Sequence, residues 1–454
     1  MKKLAILAAA VAAVSFATPS MAAPLDFNGY LRAGLGSAKN GRDVSVEKNK
    51  LGRLGNENDV WGEFGLNSDL FHADDLNIRL STLFVVTDDA NGENTKKTSF
   101  DEVNLQVKGL IPGNENAVIW AGKRHYQRED MHIVDKKYIG FDGKLGAGIE
   151  YLQAGPGQIS LAWLRQTTDK DDAWATNNTY DIYNEKGEKT GSKKKGIATN
   201  FIDARYAGWA PWDGAWTEFG VAYAMPQEPE RDLDAVDGTA VHLKRTDGQT
   251  YNFGNDYTLS AIVSQSFSAG YNKTVVQYST GALAHHALDI GTTYMDYWGG
   301  DNTEAKGWNI INTGDVKLSD SFCFNHVVAY GHVKDLKKGA IKNAHDFRVV
   351  VRPIYQLTKY TRAIAELGAF WDVQKDYEGK KETTRMQKLT LAYAIAPDAG
   401  FYSRPEVRFF ATYFHASDYN TKSWNGINKG IANHDGDRHY KNMFQFGVQG
   451  EAWW

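Results

Sequence analysis

The chain reads as an all-β protein, a transmembrane antiparallel β-barrel of about 18 strands. Three observations in its 454 residues lead there. The first residues have the pattern of an export signal. Alternating segments with one oily and one polar face recur along the rest. Finally, no apolar run is long enough for a membrane-crossing helix, while 44 glycines and 13% aromatic residues suit strands and turns better than helices.

Residues 1–22 place Lys2 and Lys3 before an apolar stretch from Leu4 to Phe16 and a small-residue cleavage site at Ser20, Met21 and Ala22. The stretch is shorter than the roughly 20 residues a spanning helix needs. Residues 23–454 are therefore expected to form one barrel domain, undivided by any Pro-rich or low-complexity linker. At about 10 residues per strand and about 14 per turn and loop, that length accommodates about 18 strands.

Alternation is clearest at the end of the chain. Phe444, Phe446, Val448, Ala452 and Trp454 share one face, and Gln445, Gln449, Glu451 and Trp453 share the other. Val103, Leu105 and Val107 alternate with Glu102, Asn104 and Gln106, and Val407 and Phe409 with Glu406 and Arg408. A soluble sandwich alternates too. The export signal, a second face rich in Arg, Glu and Gln, and the closing Trp454 favour lipid outside and water within. Polar stretches at Thr87 to Ser99, Gln166 to Gly196, Gln227 to Thr250 and Ser417 to Lys441 are expected as extracellular loops.

A net charge of −4 speaks against a nucleic-acid partner, and the single Cys323 excludes an intrachain disulfide and reads as a buried structural thiol. No catalytic constellation, metal site or cofactor motif is evident. His285 and His286 are adjacent, so in a strand they would face opposite ways. His125 and His132, near Asp130 and Asp135, read as polar lumen residues.

Five segments carry a family resemblance: DFNGYLRAGLG at 26–36, RLGNEND at 53–59, IWAGKRHYQREDMHIVD at 119–135, YNKTVVQYST at 271–280 and SRPEVRFFATY at 403–413. Together with the closing Trp-Trp pair, they resemble the maltoporins along the whole mature chain. The resemblance implies an 18-stranded barrel of the outer membrane, assembled as a homotrimer, with a constriction loop folded inward. It also implies passive passage of maltose and maltodextrins to the periplasm along a lumenal spiral of aromatic rings. Tyr30, Trp61, Tyr271, Tyr402 and Trp453 match the spiral. Parity independently puts Trp453 with Gln449 and Glu451, and Trp61 with Glu63. Otherwise such rings belong to the lipid-side girdle of any barrel. The matching charged positions are Arg32, Arg53, Glu63, Arg128, Asp130 and Asp135. Each suits either hydrogen bonding to sugar hydroxyls or a salt-bridge ladder across the lumen; Arg128, Asp130 and Asp135 belong to the segment that matches the family's inward-folded constriction loop, so the resemblance implies contact with substrate for these three.

The chain departs from the family at several positions. Lys137 stands where the family has its constriction tyrosine, and its ammonium is expected beside Asp130 and Asp135. Asp101 replaces an arginine of the polar track, the loop from Thr87 to Ser99 has no tryptophan, and the two family cysteines are missing. A general diffusion porin, an anion-preferring porin (motivated by Lys137 and Lys193 to Lys195) and a porin for another oligosaccharide are the alternatives.

Overall fold

The computed structural model describes residues 25–38, 45–89, 97–167, 179–184, 186–194, 198–227, 232–236, 239–245, 254–291, 302–419, 421–423, 429–432 and 438–454. The expected export signal lies outside these residues. Eighteen strands form one sheet. The first six are β1 (Leu25–Ala38), β2 (Asp59–Ala73), β3 (Leu76–Asp89), β4 (Lys97–Lys108), β5 (Val118–Met131) and β6 (Lys136–Ala154). Next come β7 (Gly157–Thr167), β8 (Ala198–Trp209), β9 (Ala215–Gln227), β10 (Asp256–Phe267), β11 (Gly270–Thr280) and β12 (Lys306–Ser319). The last six are β13 (Phe322–Lys337), β14 (Ile341–Thr358), β15 (Thr361–Lys375), β16 (Lys381–Ile395), β17 (Glu406–Ala416) and β18 (Asn442–Trp453). Each pairs antiparallel with its chain neighbours, and Leu31 lies opposite both Gly62 of β2 and Ala452 of β18, which closes the barrel.

Closure leaves no strand edge with unpaired backbone groups, as a bilayer demands. Short turns, such as residues 74–75 and 320–321, gather at the end where the chain termini pair through Gly29 and Trp454. Longer connections occupy the other, extracellular, end.

The burial pattern is inverted relative to a water-soluble protein. On β18, Gln445, Gln449 and Glu451 are buried while Phe444 and Phe446 are 47% and 57% exposed. On β17, Glu406 and Arg408 are buried and Val407 and Phe409 exposed; on β4, Asn104 is buried while Val103 and Leu105 are exposed. An apolar outer wall would be unfavourable in water and is stable in hydrocarbon, so the sheet faces lipid. No described helix is long and apolar enough to cross a membrane.

Three segments turn into the lumen. The stretch 45–58 carries α1 (Lys48–Leu51), which lies against β14, β15 and β16. Its course depends on glycine at two positions. Gly52 and Gly55 have φ of +91° and +60°, and a Cβ would collide with the Glu366 carboxylate at the first and with Thr412 and Phe410 at the second. Lys388 reaches in from β16 to donate to the carbonyls of Gly52 at 2.7 Å and Leu54 at 2.8 Å. The second segment joins β5 to β6 through a 3-10 turn at His132–Val134. It buries Ile133, Val134 and Tyr138 in a cluster that includes Leu54, Ile311, Val327 and Val350. The third, 281–291, contains α2 (His286–Asp289).

Several sequence expectations change. β3 and β4 run to Asp89 and from Lys97, so the polar stretch from Thr87 to Ser99 contains strand at both ends. The stretches Gln166 to Gly196 and Gln227 to Thr250 are not plain loops: Thr179–Tyr183, Lys189–Lys194, Asp232–Val236 and Thr239–Arg245 form a separate four-stranded sheet. His285 and His286 are helical rather than extended, which brings their rings to 3.9 Å. Cys323 is buried, its Sγ donating to the Ala399 carbonyl at 3.0 Å.

Candidate functional site

Strand register fixes the face of each ring. Tyr30 lies opposite Glu63 and Trp453, and Arg32 opposite Trp61 and Glu451. Directly opposed residues share a face. Arg32 and Glu451 are buried while Leu31 and Leu35, one residue out of phase, are exposed, so all six project into the lumen. Tyr271 shares parity with Val275, Gln277 and Ser279, which are buried, whereas Val276 is exposed. Tyr402, in the turn between β16 and β17, meets Tyr271 hydroxyl to hydroxyl at 3.0 Å.

Four of the five expected rings form a continuous run, with His132 completing it. Tyr30 stacks on Trp453 at 6.4 Å and 22°; Trp453 meets His132 at 5.5 Å, and His132 meets Tyr402 at 6.1 Å. Trp61 stands beside the run, its indole N–H donating to Glu63 at 2.8 Å. His132 was legible only as a polar lumen residue, and its place in the segment 119–135 was the available signal. Arg404, which lies 4.5 Å over the Trp453 ring, was not anticipated.

The charged positions divide into enclosed and accessible groups. Arg53 is buried among Glu57 at 2.8 Å, Glu451 at 3.0 Å, the Tyr30 hydroxyl at 2.8 Å and His132 at 2.8 Å. Arg32 binds Asp59 through two nitrogens at 2.8 and 2.7 Å and Glu57 at 3.2 Å. Glu57 thus anchors both arginines and Glu451 anchors Arg53, roles the sequence did not reveal. Such fully paired charges order the wall, since removing one partner would strand the other in a dry site.

Asp130, Asp135, Arg128 and Lys137 remain open to solute. Asp135 accepts from Lys48 at 2.6 Å. Burial would by itself raise its carboxyl, but Arg53, Lys48 and Arg32 outweigh that and hold it well below the usual carboxylate range. His132 is pushed the other way: burial and then Arg53 keep its imidazole below the ordinary value, hence neutral at neutral pH. Lys137 does not bond to Asp130 or Asp135 as expected. It is opposite Asp130 in register, but its ammonium donates to Asp142 at 2.9 Å, a carboxylate also bound by Arg128 at 3.1 Å. Asp142 lies farther along β6 than the expected partners, within reach of a long side chain. Asp101 accepts from Ser99 at 2.7 Å and lies 4.0 Å from Lys123.

The channel geometry agrees with what comparison with known proteins finds. The LamB porin family model matches residues 25–454. Maltoporin 1 of Klebsiella pneumoniae is 37% identical over 99% of this chain and 98% of its own. Maltoporin 2 of Yersinia pestis is 36% identical over 97% of each, and Maltoporin 1 of Aeromonas salmonicida 34% identical over 100% and 99%. Solved channels align only distantly: the outer membrane channel DcaP of Acinetobacter baumannii covers 96% of this chain and 99% of its own at 9% identity and a TM-score of 0.46. The match along the whole barrel, together with the inverted wall, shows that the chain belongs to the LamB porin family of outer-membrane channels.

Proposed function

We propose that this porin is sugar-selective and conducts maltose and maltodextrins by facilitated diffusion, without catalysis, as a homotrimer whose residues 1–22 are an export signal. The observation that carries the reading is the run Tyr30, Trp453, His132, Tyr402 and Tyr271, flanked by accessible charges. A pyranose has an apolar C–H face and a rim of hydroxyls. It can therefore slide along stacked rings while Arg128, Asp130, Asp135 and Lys137 exchange hydrogen bonds with its edge. Transit needs binding weak enough to release at each step, which several shallow contacts provide better than one deep site.

The test is single-channel conductance with maltose, maltotriose and longer glucans added to one side. Current block that strengthens with glucan length supports the reading. A channel indifferent to millimolar maltodextrin is a general diffusion pore.

A further inference from the structure

We propose that the outer wall of β12 to β16 is a binding site for a phosphate-bearing, multiply acylated lipid of the extracellular leaflet. Strand register stacks three layers of side chains on this wall. At the extracellular rim, Lys306 lies opposite Lys334, Lys334 opposite Asn343, Asn343 opposite Lys375, and Lys375 opposite Lys381. All five share the outer face with Val328, Leu367 and Leu389, which are exposed. The row therefore presents four ammonium groups and one amide along neighbouring strands. Asp335 stands 3.8 Å from Lys334. Among the described residues, Lys306, Lys375 and Lys381 form no ion pair. On β3, by contrast, an aspartate, Asp88, holds the outer-face position near the rim, opposite Val60.

One and two steps toward the membrane centre, the same face turns aromatic. Trp308, His332 and His345 form the next row; Tyr330, Phe347 and Trp371 follow, with Arg385 at its end. The rings pack on one another: His332 on His345 at 4.5 Å, Trp308 on Tyr330 at 5.4 Å and Phe347 on Trp371 at 5.5 Å. Rings of this kind mark the boundary between headgroups and hydrocarbon. Below them Val349, Val351, Leu367, Ala369, Leu389 and Tyr413 line a groove of about 350 Å³ in the wall.

The spacing suits one occupant. Six to eight residues separate the lysine row from the groove. At about 3.3 Å per residue and a tilt of about 40°, that is roughly 15 to 20 Å of depth, close to one leaflet of hydrocarbon. An anionic lipid can therefore set its phosphates on the lysines, its sugar or glycerol against the rings, and an acyl chain in the groove. Free phosphate would use only the first layer.

The test is native mass spectrometry of the delipidated porin in neutral detergent with lipid A or phosphatidylcholine added. Lipid A should bind at one site per subunit and phosphatidylcholine much more weakly. The quadruple variant Lys306→Ala, Lys334→Ala, Lys375→Ala, Lys381→Ala should bind lipid A about a hundredfold more weakly, each lysine contributing attraction to an anionic surface. Ala369→Trp, which fills the groove and keeps the lysines, should also weaken it, and both variants should conduct as the parent does. Equal binding of lipid A by parent and quadruple variant overturns the proposal. So does equal binding of phosphatidylcholine, or competition by millimolar inorganic phosphate, which would mark a plain anion site. A change in subunit number in the variants would make this wall a contact between copies and overturn it as well.

Discussion

Replacing Trp453 by Ala should break the ring path between Tyr30 and His132. Among the described residues, Trp453 is the only ring that touches both Tyr30, at 6.4 Å, and His132, at 5.5 Å, so its loss separates Tyr30 from the Tyr402–Tyr271 pair. Losing one stacking ring costs about 1–3 kcal/mol, or about 5- to 150-fold in sugar affinity. Its contacts on both sides argue for the upper half of that range, and Trp61→Ala, which removes a ring beside the run, for the lower half. The assay is titration of current block with maltotriose and maltose. Maltotriose should lose more, because a longer chain spans the broken junction. The neighbouring Trp454 supplies the control. Its ring packs on Phe27 at 5.4 Å and Phe64 at 6.0 Å on the outer wall, so Trp454→Ala should leave block unchanged. Equal loss in the two variants, or none in Trp453→Ala, would refute the assignment of these rings to the path.

Lys137→Tyr removes a cation from the narrow segment, frees Asp142 of its 2.9 Å partner and adds a stacking surface. Reversal potential in a salt gradient should move toward cation preference and maltotriose block should rise about tenfold; no change in either would place Lys137 away from the constriction. Gly55→Val cannot keep φ at +60° against Thr412 and Phe410, so the segment 45–58 should be displaced and conductance in plain salt should rise. His132 supplies a pH dependence. Its folded pKa lies below the free imidazole value of about 6.5, so the unfolded chain binds the proton more readily. Its contribution to stability is full above that value and is lost as pH falls through the folded pKa. The unfolding temperature on gels should fall between pH 7 and pH 5, and less so in His132→Gln; Asp135, depressed from about 3.9, titrates below this window. Unboiled samples should migrate as trimers, far above 50.5 kDa, and migration at monomer size without heating would count against the assembly.

The wall of the barrel was legible because its period is local. Val103 and Leu105, or Phe444 and Phe446, declare a face by alternation, and the same two-residue rule placed Trp61 and Trp453 in the lumen before any register was known. Tyr271 and Tyr402 were less accessible. One begins a strand and the other sits in a turn, so family resemblance alone pointed to them. The inward segments 45–58 and 281–291 were hidden for a different reason. Their burial depends on distant partners, as where Lys388 and Glu366 receive the backbone of residues 52–54 across more than 300 positions of sequence. Alternation carries no trace of such contacts. Lys137 was misjudged because proximity in sequence suggested Asp130 and Asp135, while the reach of a lysine side chain allowed Asp142.

The charged groups of the lumen do more than neutralise one another. Each ring of the path is fixed by a polar neighbour. Tyr30 donates to Glu451 at 2.7 Å and accepts from Arg53, His132 bonds to Arg53, Trp61 donates to Glu63, and Tyr402 and Tyr271 hold each other. Arg404 covers Trp453 and is itself bound to Glu451 at 2.9 Å. On the proposed reading, a ring held in this way loses little rotational freedom when a sugar stacks on it, so each contact forms at little ordering cost. The neighbour also occupies part of the ring's polar edge, which leaves dispersion and C–H contact as the main attraction left for the solute. Neighbouring sites then differ little in depth, and a solute can step between them without meeting a deep well. Pairing each guanidinium with carboxylates serves the same end, enclosing Arg32 and Arg53 and leaving Arg128 accessible but bound to Asp142, because an unpaired guanidinium would bind sugar hydroxyls or anions more strongly and slow their release.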